Sequence, residues 1–132
     1  MVEHLVVTSF FCQGRSYRIR FMRYRRHFPA QEYILEMEEK LRGPLLGALR
    51  HFADHGRLPS VTRGRWLQGN YSTLYEFKAQ RHRILGFLDG NGMILTNGAS
   101  KKNVRAQRQD YDLALAMKAD YFGDRQHDRH QH

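Results

Sequence analysis

Between Leu74 and Lys102 the chain reads LYEFKAQRHRILGFLDGNGMILTNGASKK. Two apolar runs flank an Asp-Gly-Asn-Gly turn, and Asp-Gly and Asn-Gly pairs accept the positive φ of a tight hairpin at little cost. The pattern predicts strands over Leu74–Ala79, His82–Leu88 and Met93–Asn97, with Gln80-Arg81 as a short link. The uninterrupted Met93-Ile94-Leu95 run suits a strand buried on both faces. Lys78, Arg81 and Arg83 mark one edge of the first runs, and Lys101-Lys102 ends the last. The remainder of the chain must therefore cover a three-stranded meander that extends to a cationic rim.

The chain has 132 residues, a length expected to form one domain with a real core. Its 41% hydrophobic content argues against wholesale disorder, and 22 Lys and Arg against 13 Asp and Glu give a net charge of +9. Of the cations, 17 are Arg, whose planar guanidinium suits bidentate phosphate contact better than a lysine point charge. Clustered cations of this kind point to nucleic acid or another anionic surface as the partner. A solvated basic surface is the plainer alternative. The single Cys12 excludes an internal disulfide and supplies no zinc motif; in the VVTSFFC run it reads as a buried, inert thiol. No apolar run approaches the roughly 20 residues of a membrane span. Glu3 and His4 interrupt any signal-peptide pattern. A cytoplasmic protein is expected.

Upstream, residues 1–13 are expected to form an arm or an extra strand, and residues 14–122 a single domain. Tyr17, Ile19 and Phe21 alternate with Arg18, Arg20 and Met22 as in a half-buried strand with a basic outer face. Pro29 suits the first turn of a helix, where its missing N–H has no partner to lose. Ile34, Met37 and Leu41 form the apolar stripe of that helix, with Glu36, Glu38 and Glu39 turned outward. Gly43-Pro44 is expected to break it, and a second helix to follow with Leu45, Leu49, Phe52 and Ala53 inward and Gly56 as a left-handed cap. The two helices are expected to form an antiparallel pair on the sheet. Residues 57–70 read as a polar connection carrying Trp66. Asn103 is placed to cap a last helix whose face carries Val104, Tyr111, Ala114, Leu115 and Phe122. Residues 123–132 read as a disordered polar tail. The tail histidines, with His82, offer only incidental metal affinity without a scaffold, so no metal site and no cofactor are expected.

The order strand, two helices, three-stranded meander, C-terminal helix resembles toxins of the RelE/ParE superfamily, in its phage-derived HigB-like branch. The residues that carry the likeness are LYEFK (Leu74 to Lys78), HRILGF (His82 to Phe87) and NGASKK (Asn97 to Lys102), with the early YRIRF and the Pro-started helix in support. The family pattern departs at four places: Lys78 stands for its Arg, Asn97 for its His, Ala99 for its Phe, and Ala106-Gln107 for its Thr-Pro. The likeness covers residues 16 to 122. It implies an α+β fold of RelE type, a small antiparallel-rich sheet with two N-terminal helices packed on it and a C-terminal helix. It further implies the toxin of a type II toxin–antitoxin system, an mRNA interferase that is usually ribosome-dependent. Its partners would be mRNA, the ribosome and a small antitoxin, often a helix-turn-helix protein.

RNA cleavage without a metal needs the 2′-hydroxyl deprotonated, a phosphorane stabilised and the 5′-oxygen protonated. The sequence shows no clustered carboxylates and no metal-spaced His, Cys and Asp set, so Arg and Lys must supply the stabilisation. The candidate clamp is Arg83 and Lys78. Lys101 and Lys102 contact phosphate or move a proton, because a lysine crowded by cations is disfavoured in its charged form. Arg81, Arg18, Arg20, Arg105 and Arg108 are candidate backbone contacts. His82 and Tyr71 are the weaker proton-transfer candidates, and Glu76 is expected to orient a neighbouring cation. A non-catalytic RNA- or ribosome-binding protein and a gyrase-directed ParE-like toxin remain the alternatives.

Overall fold

A computed structural model describes residues 7–131, with side chains described as far as Gly123. The elements are β1 (Thr8–Gln13), β2 (Arg18–Met22), α1 (Pro29–Glu36), α2 (Glu39–His55), β3 (Gly64–Trp66), β4 (Tyr75–Ala79), β5 (His82–Asp89), β6 (Gly92–Ser100) and α3 (Val104–Gln131). The fold is α+β. One six-stranded mixed sheet runs in the order β1-β2-β6-β5-β4-β3. Every pairing is antiparallel except β2 with β6, which lie side by side in parallel although α1, α2 and β3 to β5 separate them along the chain. The extra-strand alternative for the first residues is the one realised, for Thr8–Gln13; residues 1–6 lie outside the described residues.

The sheet carries a separate apolar layer on each face. Ile19, Phe21, Phe77, Ile84, Met93 and Leu95 meet Ile34 of α1 and Leu45, Leu49 and Phe52 of α2. On the opposite face Met22, Leu74, Leu85, Phe87 and Ile94 meet Ala114, Met117 and Tyr121 of α3. Two covered faces explain the long buried runs of β5 and β6. They also explain why Met22, expected on a basic outer face, is buried. On α3, Val104 is 70% exposed and does not join the packed face, which begins at Tyr111 and instead gains Met117 and Tyr121. That helix continues to Gln131, through the segment expected as a disordered tail.

The helix break falls six residues before the expected one. Met37 is extended (ψ 154), and the Arg42 guanidinium donates to the Ile34, Leu35 and Met37 carbonyls, closing α1. Gly43-Pro44 lies inside α2. A residue before proline is normally driven from helical geometry by a clash that involves its Cβ, and Gly43 has none. Both residues face solvent. The helices contact strands in preference to one another, α1 against β6 and β2, α2 against β4, β1 and β2, so the expected helical pair is not formed. Gly56 caps α2 as expected, with φ 75 and its N–H on the Phe52 carbonyl. The connection 57–70 is not wholly irregular, because Gly64–Trp66 adds an edge strand beside β4.

Between β5 and β6 the register slips, so that Thr96 and Asn97 together oppose Leu85. This bulge re-aims the end of β6, and Asn97 donates to the Asp110 carbonyl of α3 at 3.2 Å. One residue on, Gly98 meets α1: a Cβ there would lie 2.3 Å from Tyr33 Cγ. Gly98→Ala is expected to cost at least about 2 kcal/mol by overpacking. Urea unfolding should show it as a lowered midpoint at unchanged m-value.

Candidate functional site

The carboxylate of Glu76 lies at the centre of the rim, 1% exposed. Period 2 along β4 turns Leu74, Glu76 and Lys78 to the α3 face. Beyond the edge of the α3 core, the sheet presents polar side chains from four elements. Arg65 of β3 pairs in register with Glu76 and brings its Nε to 3.5 Å from Oε1. Arg83 of β5 brings its Nε to 3.9 Å from Oε2. The Tyr111 hydroxyl of α3 donates to Oε2 at 2.7 Å and accepts from Gln107 Nε2 at 2.8 Å. Burial and this bond to a carboxylate push the Tyr111 phenol up to about 12, so it stays a donor throughout the physiological range.

Lys78 sits opposite Arg83 across the β4–β5 ladder. Burial first, then Arg65, lower the pKa of its ammonium from the usual 10.5, with Arg83 and Lys101 adding to the effect and Glu76 opposing it. The crowding expected of Lys101 and Lys102 is thus found at Lys78. Lys101 and Lys102 are exposed just past β6, and the Lys101 N–H donates to the Arg81 carbonyl at 2.6 Å, tying that exit to the β4–β5 turn. Lys101 is close enough to act on Lys78, whereas Lys102 acts on Asp110 of α3. The Asp110 carboxyl is pushed up by burial and pulled back by Lys102, and its Oδ2 is buried without a hydrogen-bond partner.

Arg83 differs from its expected role. It is 9% exposed, and its Nη1 donates to the Gln80 and His82 carbonyls, so its guanidinium fastens the β4–β5 turn. Arg81 parts from it, because Gln80 has φ 57 and the link is a turn rather than extended chain. His82 lies on the other face of the sheet: its Nδ1 is 2.6 Å from the Tyr33 hydroxyl, which also meets Ser100 Oγ at 3.0 Å. Burial and then Arg81 lower its pKa below 6.5, with Arg83 adding and Glu38 opposing. It cannot serve the Lys78 side directly. Tyr71 donates to Asp112 at 2.7 Å and its ring packs, tilted by 59°, against Tyr111, an arrangement that anchors α3 to the loop before β4.

Arg105 and Arg108 are exposed in the first turns of α3, where Asn103 Oδ1 caps the Ala106 N–H at 2.9 Å. They border the rim, and the helix N-terminus adds its own positive potential. Arg18 and Arg20 do not join it. They lie at the Gly92 end of β6, roughly 20 Å from Lys78 by strand rise. There they line a polar cleft with Asn91 and Gly92, and are held by Gln13 and Thr8. Cys12 is half-buried, and burial raises its thiol pKa. Among the described residues no group of three His, Cys, Asp or Glu is placed to hold a metal, and no helix is long and apolar enough to cross a membrane.

Arg65 is the residue that sequence alone passed over, because it lies in a stretch read as loop. Arg65 is the middle residue of the three-residue edge strand β3, too short to show a period, and only its register with β4 sets it against Glu76. No protein-family model matches the chain, and no curated protein is significantly similar to it.

Tyr111→Phe removes the only tight donor described for Glu76 and is expected to cost about 1–3 kcal/mol. Chemical denaturation should register that loss. Lys78→Met should act in the opposite sense. The folded state binds the Lys78 proton more weakly than the unfolded chain, so its charge opposes folding at every pH below the lowered pKa, and the penalty vanishes above 10.5. Removing the like charge opposite Arg83 should add up to about 1 kcal/mol of stability at pH 7, read as a higher melting temperature.

Proposed function

We propose that the chain is a metal-independent endoribonuclease, the toxin of a type II toxin–antitoxin pair, acting on mRNA at the ribosome. The observation that carries this is the grouping of three cations near one buried carboxylate: Lys78 on the LYEFK strand, Arg65 on the neighbouring edge strand β3, and Lys101 at the end of the NGASKK segment. An RNA phosphate is the polyanion such a rim fits. The RelE-type form of the fold and a cytoplasmic setting belong to the same proposal.

The reaction is transfer of phosphorus from the 5′-oxygen of one nucleotide to the 2′-oxygen of its neighbour. Neutral Lys78 accepts the 2′-hydroxyl proton as the 2′-oxygen bonds to phosphorus. Cationic side chains stabilise the charge gathered on the phosphorane oxygens. The P–O5′ bond then breaks, and a Lys101 ammonium delivers a proton to the leaving oxygen, yielding a 2′,3′-cyclic phosphate and a 5′-hydroxyl. The depressed Lys78 pKa favours the neutral amine that the first step uses. Asn97, standing where the family pattern has His, is committed to α3, and proton transfer falls to the lysines.

Two consequences follow for experiment. Activity should rise with pH above neutrality and level off at the Lys78 pKa, below 10.5; Lys78→Arg, always charged, should cut at least about 100-fold more slowly and lose that rise. In cells, induction should arrest growth and create new message 5′ ends. Arrest without new ends would favour a non-catalytic ribosome binder, and DNA-damage signalling would favour a gyrase-directed toxin.

A further inference from the structure

We infer that Arg65 is the arginine that grips the scissile-side phosphate, and that Glu76 is the positioning residue that aims it. The inference rests on the proposed RNA substrate and reassigns the clamp expected of Arg83.

The two arginines beside Glu76 are not equivalent. Both approach the carboxylate through Nε, at 3.5 Å for Arg65 and 3.9 Å for Arg83. Arg83 then spends Nη1 on two turn carbonyls and is almost wholly buried. The Arg65 side chain is 41% exposed. Its Nε is buried against Glu76, and no hydrogen bond among the described residues engages its two Nη groups, the edge that binds phosphate through two N–H groups. The same guanidinium acts on both Lys78 and Tyr111. A phosphate placed between Arg65 and Lys78 therefore meets a fixed fork and a neighbouring amine from two adjacent strands.

Glu76 makes this arrangement possible. Arg65, Lys78 and Arg83 are three like charges on neighbouring strands, and their repulsion would splay them. A buried carboxylate locked by Tyr111 supplies one negative charge at the centre and a common bearing for both Nε groups. A net positive charge remains for the ligand. Preorganised cations of this kind need no rearrangement when the phosphorane forms.

A labelled single-stranded RNA oligonucleotide, titrated at several salt concentrations, tests the binding half. Arg65→Ala should weaken binding about ten-fold and lower the salt slope by about 0.7–1, the loss of one phosphate contact. Arg50→Gln, on the opposite α2 face where Arg50 lies over Phe11, should leave both unchanged. Arg65→Lys keeps the charge beside Glu76 and should retain the slope while losing turnover at saturating RNA. Glu76→Gln should bind as tightly as the parent or tighter, yet cut more slowly, a split that simple unfolding does not produce. Arg65→Ala binding and cutting like the parent would overturn the assignment of Arg65, and Glu76→Gln cutting at the parental rate would overturn that of Glu76. A parent protein that binds this RNA but never cuts it would sink the nuclease proposal while leaving the Arg65 contact standing. Absence of parental binding would remove both.

Discussion

A carboxylate buried to 1% exposure is costly unless its charge is met, and in this protein three other elements are arranged to meet that of Glu76. Arg65 comes from the edge strand β3, Arg83 from β5 and Tyr111 from α3, while Glu76 itself stands on β4. The pairing of β3 with β4, the tight β4–β5 turn and the docking of α3 all converge on that one group. Each arginine offsets the carboxylate's desolvation, and the carboxylate in turn holds together cations that would otherwise repel one another. Stability and site geometry are coupled here, because disturbing the anion disturbs the cations presented to solvent.

The two-faced sheet determines where this cluster can lie. With α1 and α2 on one face and α3 on the other, apolar side chains fill the middle of β4, β5 and β6. Polar groups are pushed to the strand ends. The bulge at Thr96 and Asn97 turns β6 toward the start of α3, and the Asn97 bond to Asp110 fixes the helix entry beside the rim. On the far face, Tyr33, His82 and Ser100 form a separate hydrogen-bonded set that ties α1 to the same strand ends. The rim is thus braced from both sides of the sheet.

Much of the fold could be read from the sequence, because strong local chemistry marks it. The Asp-Gly-Asn-Gly turn appears where expected, with Gly90 at φ 59, and Gly56 and Asn103 cap their helices as their residue types suggest. What escaped was non-local. One exception is local: Pro44 lies inside α2 directly after Gly43, which has no Cβ to clash with the proline ring. The three-residue β3 is too short to show a period, and only pairing with β4 defines it. Arg83 and Arg65 look alike as letters; a turn whose carbonyls consume one guanidinium, and an edge position that exposes the other, separate them. Arg18 and Arg20 share a face with the rim but sit at its opposite end, a separation set by parallel register with β6.

The cations of this basic protein are arranged around a fixed internal anion, Glu76, and one of them, Lys78, is a lysine of lowered pKa. The proposed chemistry is cleavage of RNA by this cluster through the 2′-oxygen. The most direct measurement is end-group analysis of mRNA treated with the purified protein in a translating extract, beside a message carrying a single 2′-deoxy nucleotide at a mapped cut. The expected ends are a 5′-hydroxyl and a 2′,3′-cyclic phosphate, with no cut at the deoxy position. Ends bearing a 5′-phosphate, or cleavage that persists at the deoxy nucleotide, would contradict that chemistry.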